Sequence, residues 1–153
     1  MSTRRHCLAS LLAATLPAWA PAAKAEAAPS PERVNDETWT DAARQRTVPV
    51  RVRWPDASRF AGPWPVVIFS HGLGGTREGG STWGEAWAAA GFAVVHLQHP
   101  GSDLTAVRGV TNSFTDQRAL RTLAGPQQLL ARLRDVGFAL DEIGRRHAAG
   151  QGQ

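Results

Sequence analysis

The chain predicts an α/β fold, a mostly parallel sheet with flanking helices, on three observations. Val66-Val67-Ile68-Phe69 is an uninterrupted apolar run that stops at a glycine-rich loop, Ser70-His71-Gly72-Leu73-Gly74-Gly75. Such a run is the pattern of a strand covered on both faces. A second apolar run, Phe92 to Leu97, follows one helix-length segment later. Strand, helix and strand of this length imply a parallel crossover. Third, Leu129, Leu133, Val136, Leu140 and Ile143 recur at spacings of four, three, four and three, an amphipathic stripe whose core is a sheet face.

In chain order, residues 1–25 read as an export leader. Arg4 and Arg5 give a basic start, Cys7 to Trp19 is mostly Ala and Leu, and Ala23-Lys24-Ala25 supplies the small-x-small pattern of signal cleavage. The apolar part is too short to span a membrane, and Pro17 and Pro21 interrupt it as an ordinary helix. Ser2-Thr3-Arg4-Arg5 resembles a twin-arginine signal, with Cys7 where that signal carries a large apolar residue, so the route stays open between general and twin-arginine export. The expected location is periplasmic or extracellular. Without Arg4, Arg5 and Lys24, 14 basic residues face 13 acidic ones, so the formal +4 of the whole chain gives no charge argument for nucleic-acid binding. The single cysteine, Cys7, lies in the leader, which leaves the remainder without disulfide or thiol chemistry.

Residues 26–46 read as a linker and flexible N-terminus, Ala/Pro-rich from Glu26 to Pro31. Thr47 to Trp54 alternates Val48, Val50, Val52 and Trp54 with other residues, a half-buried strand, and Pro49 places it near an edge. Gly72, Gly74 and Gly75 are expected to allow positive φ and close approach of backbone N–H groups to a ligand. Thr82-Trp83-Gly84-Glu85 fits a capping box that opens a helix to about Ala90. Trp83 and Trp87, four apart, then share one face packed on the sheet, and Gly91 ends the helix. Gln98 to Gly125 is polar, with one helical turn expected around Asp116 to Leu123. Pro126 opens the long helix at the position proline tolerates best, Arg145, Arg146 and His147 suit its C-terminal end, and Arg132 and Arg134 read as its solvated face.

Two alternative sites are weighed and set aside. His96 and His99, three apart on a strand, point to opposite faces, so with or without Asp103 they make a poor metal pair, and no metal is expected. Gly72-x-Gly74-x-x-Arg77 lacks the third glycine of a dinucleotide loop, and the next strand ends in Gln98 rather than an acidic ribose ligand, so no cofactor is expected.

Four motifs together resemble a known family. They are Ser70 to Arg77 (SHGLGGTR), Ala90 to Val95 (AGFAVV), His99 to Asp103 (HPGSD) and Arg134 to Asp141 (RDVGFALD). They are similar to the α/β-hydrolases of the predicted dienelactone hydrolase and platelet-activating-factor acetylhydrolase-like kind, over about Val48 to Ile143. The resemblance implies that 47–153 is a partial α/β-hydrolase domain, the N-terminal half, from an exported serine-type hydrolase of small-molecule carboxylic esters. It implies an oxyanion-hole donor in the Leu73 backbone N–H, with Gly72 and Gly74 shaping the loop. His71 braces the loop rather than acting as base, because in this fold the base follows the nucleophile and acid in chain order. No G-x-S-x-G occurs in residues 1–153. Nucleophile, acid and base are accordingly expected outside the chain, which alone is expected to be inactive, with its most apolar strand left as an open edge. The alternative is a non-catalytic pseudo-hydrolase remnant or binding module. No membrane span is expected, and the oligomeric state is open.

Overall fold

The computed structural model describes residues 33–151. The leader expected at 1–25 and the first part of the linker lie outside the described residues. Strands β1 (Arg33–Asp41), β2 (Arg46–Trp54), β3 (Val66–Ser70) and β4 (Ala93–Leu97) are joined by helices α1 (Ser81–Ala89), α2 (Leu104–Val110), α3 (Gln117–Leu123) and α4 (Pro126–Ala148). The strands form one sheet in the order β1-β2-β4-β3. The sheet is mixed rather than mostly parallel: β3 and β4 pair in parallel across the α1 crossover, whereas β1·β2 and β2·β4 are antiparallel. Only a helical crossover returns the chain in the same direction, and α1 alone provides one between neighbours here.

The stretch 33–41, expected as flexible linker, is the edge strand β1 and closes a hairpin through a turn over Ala42 to Gln45. Its sequence, RVNDETWTD, has Val34 and Trp39 as its only apolar residues, so no hydrophobic period announces it. Charge pairs hold it instead. Arg51 of β2 grips its register partner Asp36 with two hydrogen bonds of 2.7 and 2.8 Å, and Arg146 of α4 bonds Glu37 while its guanidinium lies 4.6 Å over the Trp39 ring. With β1 in place, β2 is an interior strand and Pro49 is not near an edge. The proline is tolerated because it sits just past the β2·β4 ladder, where its carbonyl still accepts from the Gln98 N–H.

The core lies on one sheet face. Trp39, Val48, Val50, Val52, Val95 and Leu97 are buried with Ala139 of α4, and Ile68, Val136 and Ile143 pack against them. Helix α1 takes the other face, where it closes on Arg53 and His96 at Gly84. A Cβ at Gly84 would stand 2.4 Å from His96 Nε2. The expected capping box does not form: α1 begins two residues earlier, behind Gly80 in the left-handed region at φ 72°, with no side-chain cap. Trp87 packs toward the sheet, 6.5 Å from Phe69, but its neighbour Trp83 is 64% exposed. β4 is buried along its whole length, whereas β3, expected to be covered on both faces, is only half-buried because it is the other edge.

Helix α4 opens at Pro126 and carries Arg145, Arg146 and His147 in its last turn. Its inward face differs from the apolar stripe. Asp135 and Ala139 are its buried residues, flanked by Val136 and Ile143, while Leu129, Leu133 and Leu140 are each more than half exposed. At about 100° per residue the helix is turned by roughly 70° from the orientation that leucine burial alone would choose. The cause is Asp135, which must meet its cationic partners. Arg132 turns inward with it and is not part of a solvated face.

This packing makes a measurable distinction. Leu97→Ala, in the core, should destabilise by about 2–5 kcal/mol. Leu140→Ala should stay within about 0.5 kcal/mol, as surface changes do, although the sequence stripe alone would make the two alike. Urea unfolding midpoints of the two variants check this.

Candidate functional site

The C-terminal ends of β3 and β4 point the same way, so the loops that follow them meet. In parallel strand pairs this is where ligand sites form. The loop after β3 is pinned to the loop after β4 by Gly74 N–H to the Ser102 carbonyl at 2.8 Å and by Leu104 N–H to the Gly75 carbonyl at 3.0 Å. Gly74 has φ 76°, which favours glycine, and a Cβ there would also push on the exposed Phe114 ring at 2.6 Å. Gly72 and Gly75 have no positive φ, contrary to expectation. Gly75 is needed for a different reason, since its Cβ would press on the His71 side chain at 2.8 Å, whereas a Cβ at Gly72 meets nothing within 4 Å. Asp103 caps α2 by accepting from Ala106 N–H at 3.0 Å. That helix lies in the polar stretch where the sequence shows no apolar period.

Two buried histidines connect the loops, and their partners decide their tautomers. His71 Nε2 accepts from the His99 backbone N–H at 3.1 Å, so the proton sits on Nδ1 and is donated to the Gly72 carbonyl at 2.6 Å. His99 Nδ1 faces Asp135 Oδ2 at 3.0 Å and donates to it, which leaves Nε2 to accept from the Ser70 hydroxyl at 2.9 Å. His96, by contrast, bonds the Gly79 carbonyl on the α1 side of the sheet. The two histidines of the rejected metal pair thus serve opposite faces.

Asp135 is fully buried and accepts from His99, from Arg44 at 2.9 Å and from Arg46 at 2.7 and 2.8 Å. Burial raises its pKa, but the hydrogen bonds from His99, Arg46 and Arg44 outweigh that and hold the carboxyl well below the usual carboxylate range. One turn earlier on α4, Arg132 donates to Ser102 Oγ at 3.0 Å, to Ser70 Oγ at 3.1 Å and to the His71 carbonyl. Arg132, Leu73, Ser102, Gln128 and Leu129 line a cavity of about 280 Å³. A larger cavity, about 510 Å³ between Trp39, Trp54, Trp64 and Ile143, opens by Val66 and Ala93, at the strand ends away from these loops. The smaller one is the cavity at the meeting of the two loops, with Leu73, Ser102 and Arg132 in its wall.

Of the residues singled out from sequence, Leu73 is partly exposed at the loop tip and lines the smaller cavity. Its N–H meets no acceptor among the described residues. Gly72 and Gly74 flank it, and His71 lies beneath with the bonds given above. Sequence reasoning placed no nucleophile, base or acid within the chain, yet the structure brings Ser70, His99 and Asp135 into one hydrogen-bonded line. No spacing rule joins positions 70, 99 and 135. The only available signal was that each belongs to a different one of the quoted motifs. No helix among the described residues is long and apolar enough to cross a membrane.

Asp135→Asn should destabilise the fold by about 3 kcal/mol, at the low end for a broken buried pair because Arg44 and Arg46 keep 20% and 22% exposure. Denaturant titration at neutral pH reads this directly. Burial lowers the pKa of His71 below its ordinary 6.5, opposed by the bond to Gly72. The folded state therefore binds fewer protons than the unfolded chain just below pH 6.5. This contribution is intact above pH 6.5 and is lost as the pH falls from 6.5 toward the folded-state value, with a slope of at most about 1.4 kcal/mol per pH unit. His71→Gln should flatten that part of the stability profile between pH 7.5 and 5.

Among curated proteins, none matches the chain. A family model described as platelet-activating factor acetylhydrolase, isoform II, matches residues 34–132, more than half of the chain, from β1 through both loops of the site to Arg132. The chain therefore belongs to the platelet-activating factor acetylhydrolase isoform II family, and its function is of the esterase, acetylhydrolase-like kind.

Proposed function

We propose that this chain forms the oxyanion-stabilising part of an exported carboxylic ester hydrolase, with the Leu73 N–H as the donor to the developing oxyanion. The observation that carries the reading is the state of that N–H. It sits at the C-terminal end of a parallel strand, on a loop immobilised by Gly74 and His71, beside a cavity, and without an acceptor among the described residues. A donor fixed in that way acts where charge develops and is worth roughly 3–4 kcal/mol of transition-state stabilisation.

The finer reading is the N-terminal half of an α/β-hydrolase, similar to the dienelactone hydrolases, whose G-x-S-x-G nucleophile stands on a further strand beside β3. It is supported by the absence of that motif from residues 1–153, by the edge position of β3 and by the exposed Leu129, Leu133 and Leu140 on α4. Ester specificity then depends on the smaller cavity. The same missing motif favours the second reading, a pseudo-hydrolase that binds an ester or its acid without turning it over.

The test is hydrolysis of p-nitrophenyl acetate by the product of the gene expressed with its downstream sequence retained. Leu73→Pro removes the N–H and should lower kcat/KM by about 10²–10³-fold, the loss seen for one oxyanion donor. Leu73→Ala keeps the N–H and should remain within a few-fold of the parent. Equal losses in the two variants would place the donor elsewhere, and no hydrolysis by the parent would leave the pseudo-hydrolase reading standing.

A further inference from the structure

We propose that Ser70 is itself a reactive nucleophile: Ser70, His99 and Asp135 form a relay through which the chain reacts covalently with activated carboxylic esters and organophosphonates, independently of any G-x-S-x-G serine. A nucleophile within hydrogen-bond reach of a base that a third group orients is the diagnostic arrangement for an activated hydroxyl, and it is recognised by geometry rather than by chain order. Here Ser70 Oγ lies 2.9 Å from His99 Nε2, and His99 Nδ1 lies 3.0 Å from Asp135 Oδ2. The tautomer that Asp135 imposes leaves Nε2 unprotonated and facing the hydroxyl. His99 and Asp135 are fully buried while Ser70 is exposed, so the base is held rigidly and the nucleophile is open to reagent. Arg132 adds a guanidinium N–H 3.1 Å from Oγ, which favours negative charge there, and the same side chain lines the 280 Å³ cavity.

In the reaction the Ser70 Oγ–C bond forms at the ester carbonyl as the hydroxyl proton passes to His99 Nε2. The tetrahedral adduct then collapses, the C–O bond to the leaving group breaks, and the departing alkoxide takes the proton from His99. Water adds to the acyl-serine by the same route and releases the carboxylic acid, restoring the Ser70 hydroxyl. With a fluorophosphonate the Oγ–P bond forms, the P–F bond breaks, fluoride leaves and the adduct persists. Arg44 and Arg46 share the Asp135 carboxylate, so less of its charge is available to stabilise a protonated His99. Reactivity is accordingly confined to substrates with good leaving groups, such as nitrophenyl esters.

This inference does not rest on the role of Leu73. Incubating the 153-residue chain with a fluorophosphonate and locating the adduct by tandem mass spectrometry should place it on Ser70. Ser70→Ala should lose the adduct, and Ser113→Ala, in an exposed loop, should keep it. An adduct spread over several serines, or none, overturns the proposal. In a Cys7→Ser background, Ser70→Cys should be alkylated by iodoacetamide at neutral pH about tenfold faster than Ser113→Cys, because a neighbouring imidazole and guanidinium favour the thiolate. Equal rates overturn it too. A Ser70 adduct that forms equally fast in Leu73→Pro would separate this activity from the oxyanion role of Leu73.

Discussion

A single buried carboxylate organises this molecule. Asp135 sits on α4, 91 residues from Arg44 and 36 from His99, yet its two oxygens collect hydrogen bonds from both, and from Arg46 twice. An isolated charge at that depth would be prohibitively desolvated, so the fold is viable only when the hairpin turn, the end of β4 and α4 converge on one point. Each element contributes what the others lack. The hairpin brings cations, β4 brings a histidine and the helix brings the anion.

The glycine loop inherits its rigidity from this convergence. His99, oriented by Asp135, uses its backbone N–H to hold His71, and His71 in turn bonds the Gly72 carbonyl next to Leu73. Arg132, one turn before Asp135 on the same helix, reaches the His71 carbonyl and Ser70 from the other side. The loop is thus clamped between strand and helix by two histidines and one guanidinium, an arrangement that keeps backbone donors in place without hydrophobic cover. The same rotation of α4 that makes the clamp leaves three leucines facing solvent. Polar geometry has prevailed over apolar burial along one face, because an unpaired buried charge costs more than a few exposed leucines.

The family match covers most of the architecture around the glycine loop. The matched span runs from β1 to Arg132 and contains the loop, both strands that carry it and every partner of the loop except Asp135 and the remainder of α4. The cavity beside the loop is the smaller of the two described, and its wall carries Leu73, whose N–H meets no acceptor among the described residues, and the Arg132 guanidinium. The larger cavity lies at the opposite strand ends and is walled mostly by apolar side chains, with Arg146, His147 and Gln151 among them.

The sequence by itself determined the pieces whose signals are local. The apolar runs of β3 and β4, the Val alternation of β2, the proline opening of α4 and the glycine loop are each legible because period, composition and backbone freedom act over a few residues. The helical turn expected around Asp116 to Leu123 belongs to the same class, and it is the helix α3. What only the tertiary structure decided is whatever depends on partners distant in the chain. Strand β1 has no apolar period, so its existence follows from cross-strand pairing with β2 and from charges such as Arg51 and Arg146. The orientation of α4 could not be read from its leucines, because Asp135, an ordinary polar position in any helical pattern, becomes the buried centre only when Arg44, Arg46 and His99 are brought to it. The line from Ser70 through His99 to Asp135 is hidden for the same reason: hydrogen bonds act over 3 Å in space, and no spacing along a chain encodes three positions that meet only after the sheet and helix have packed.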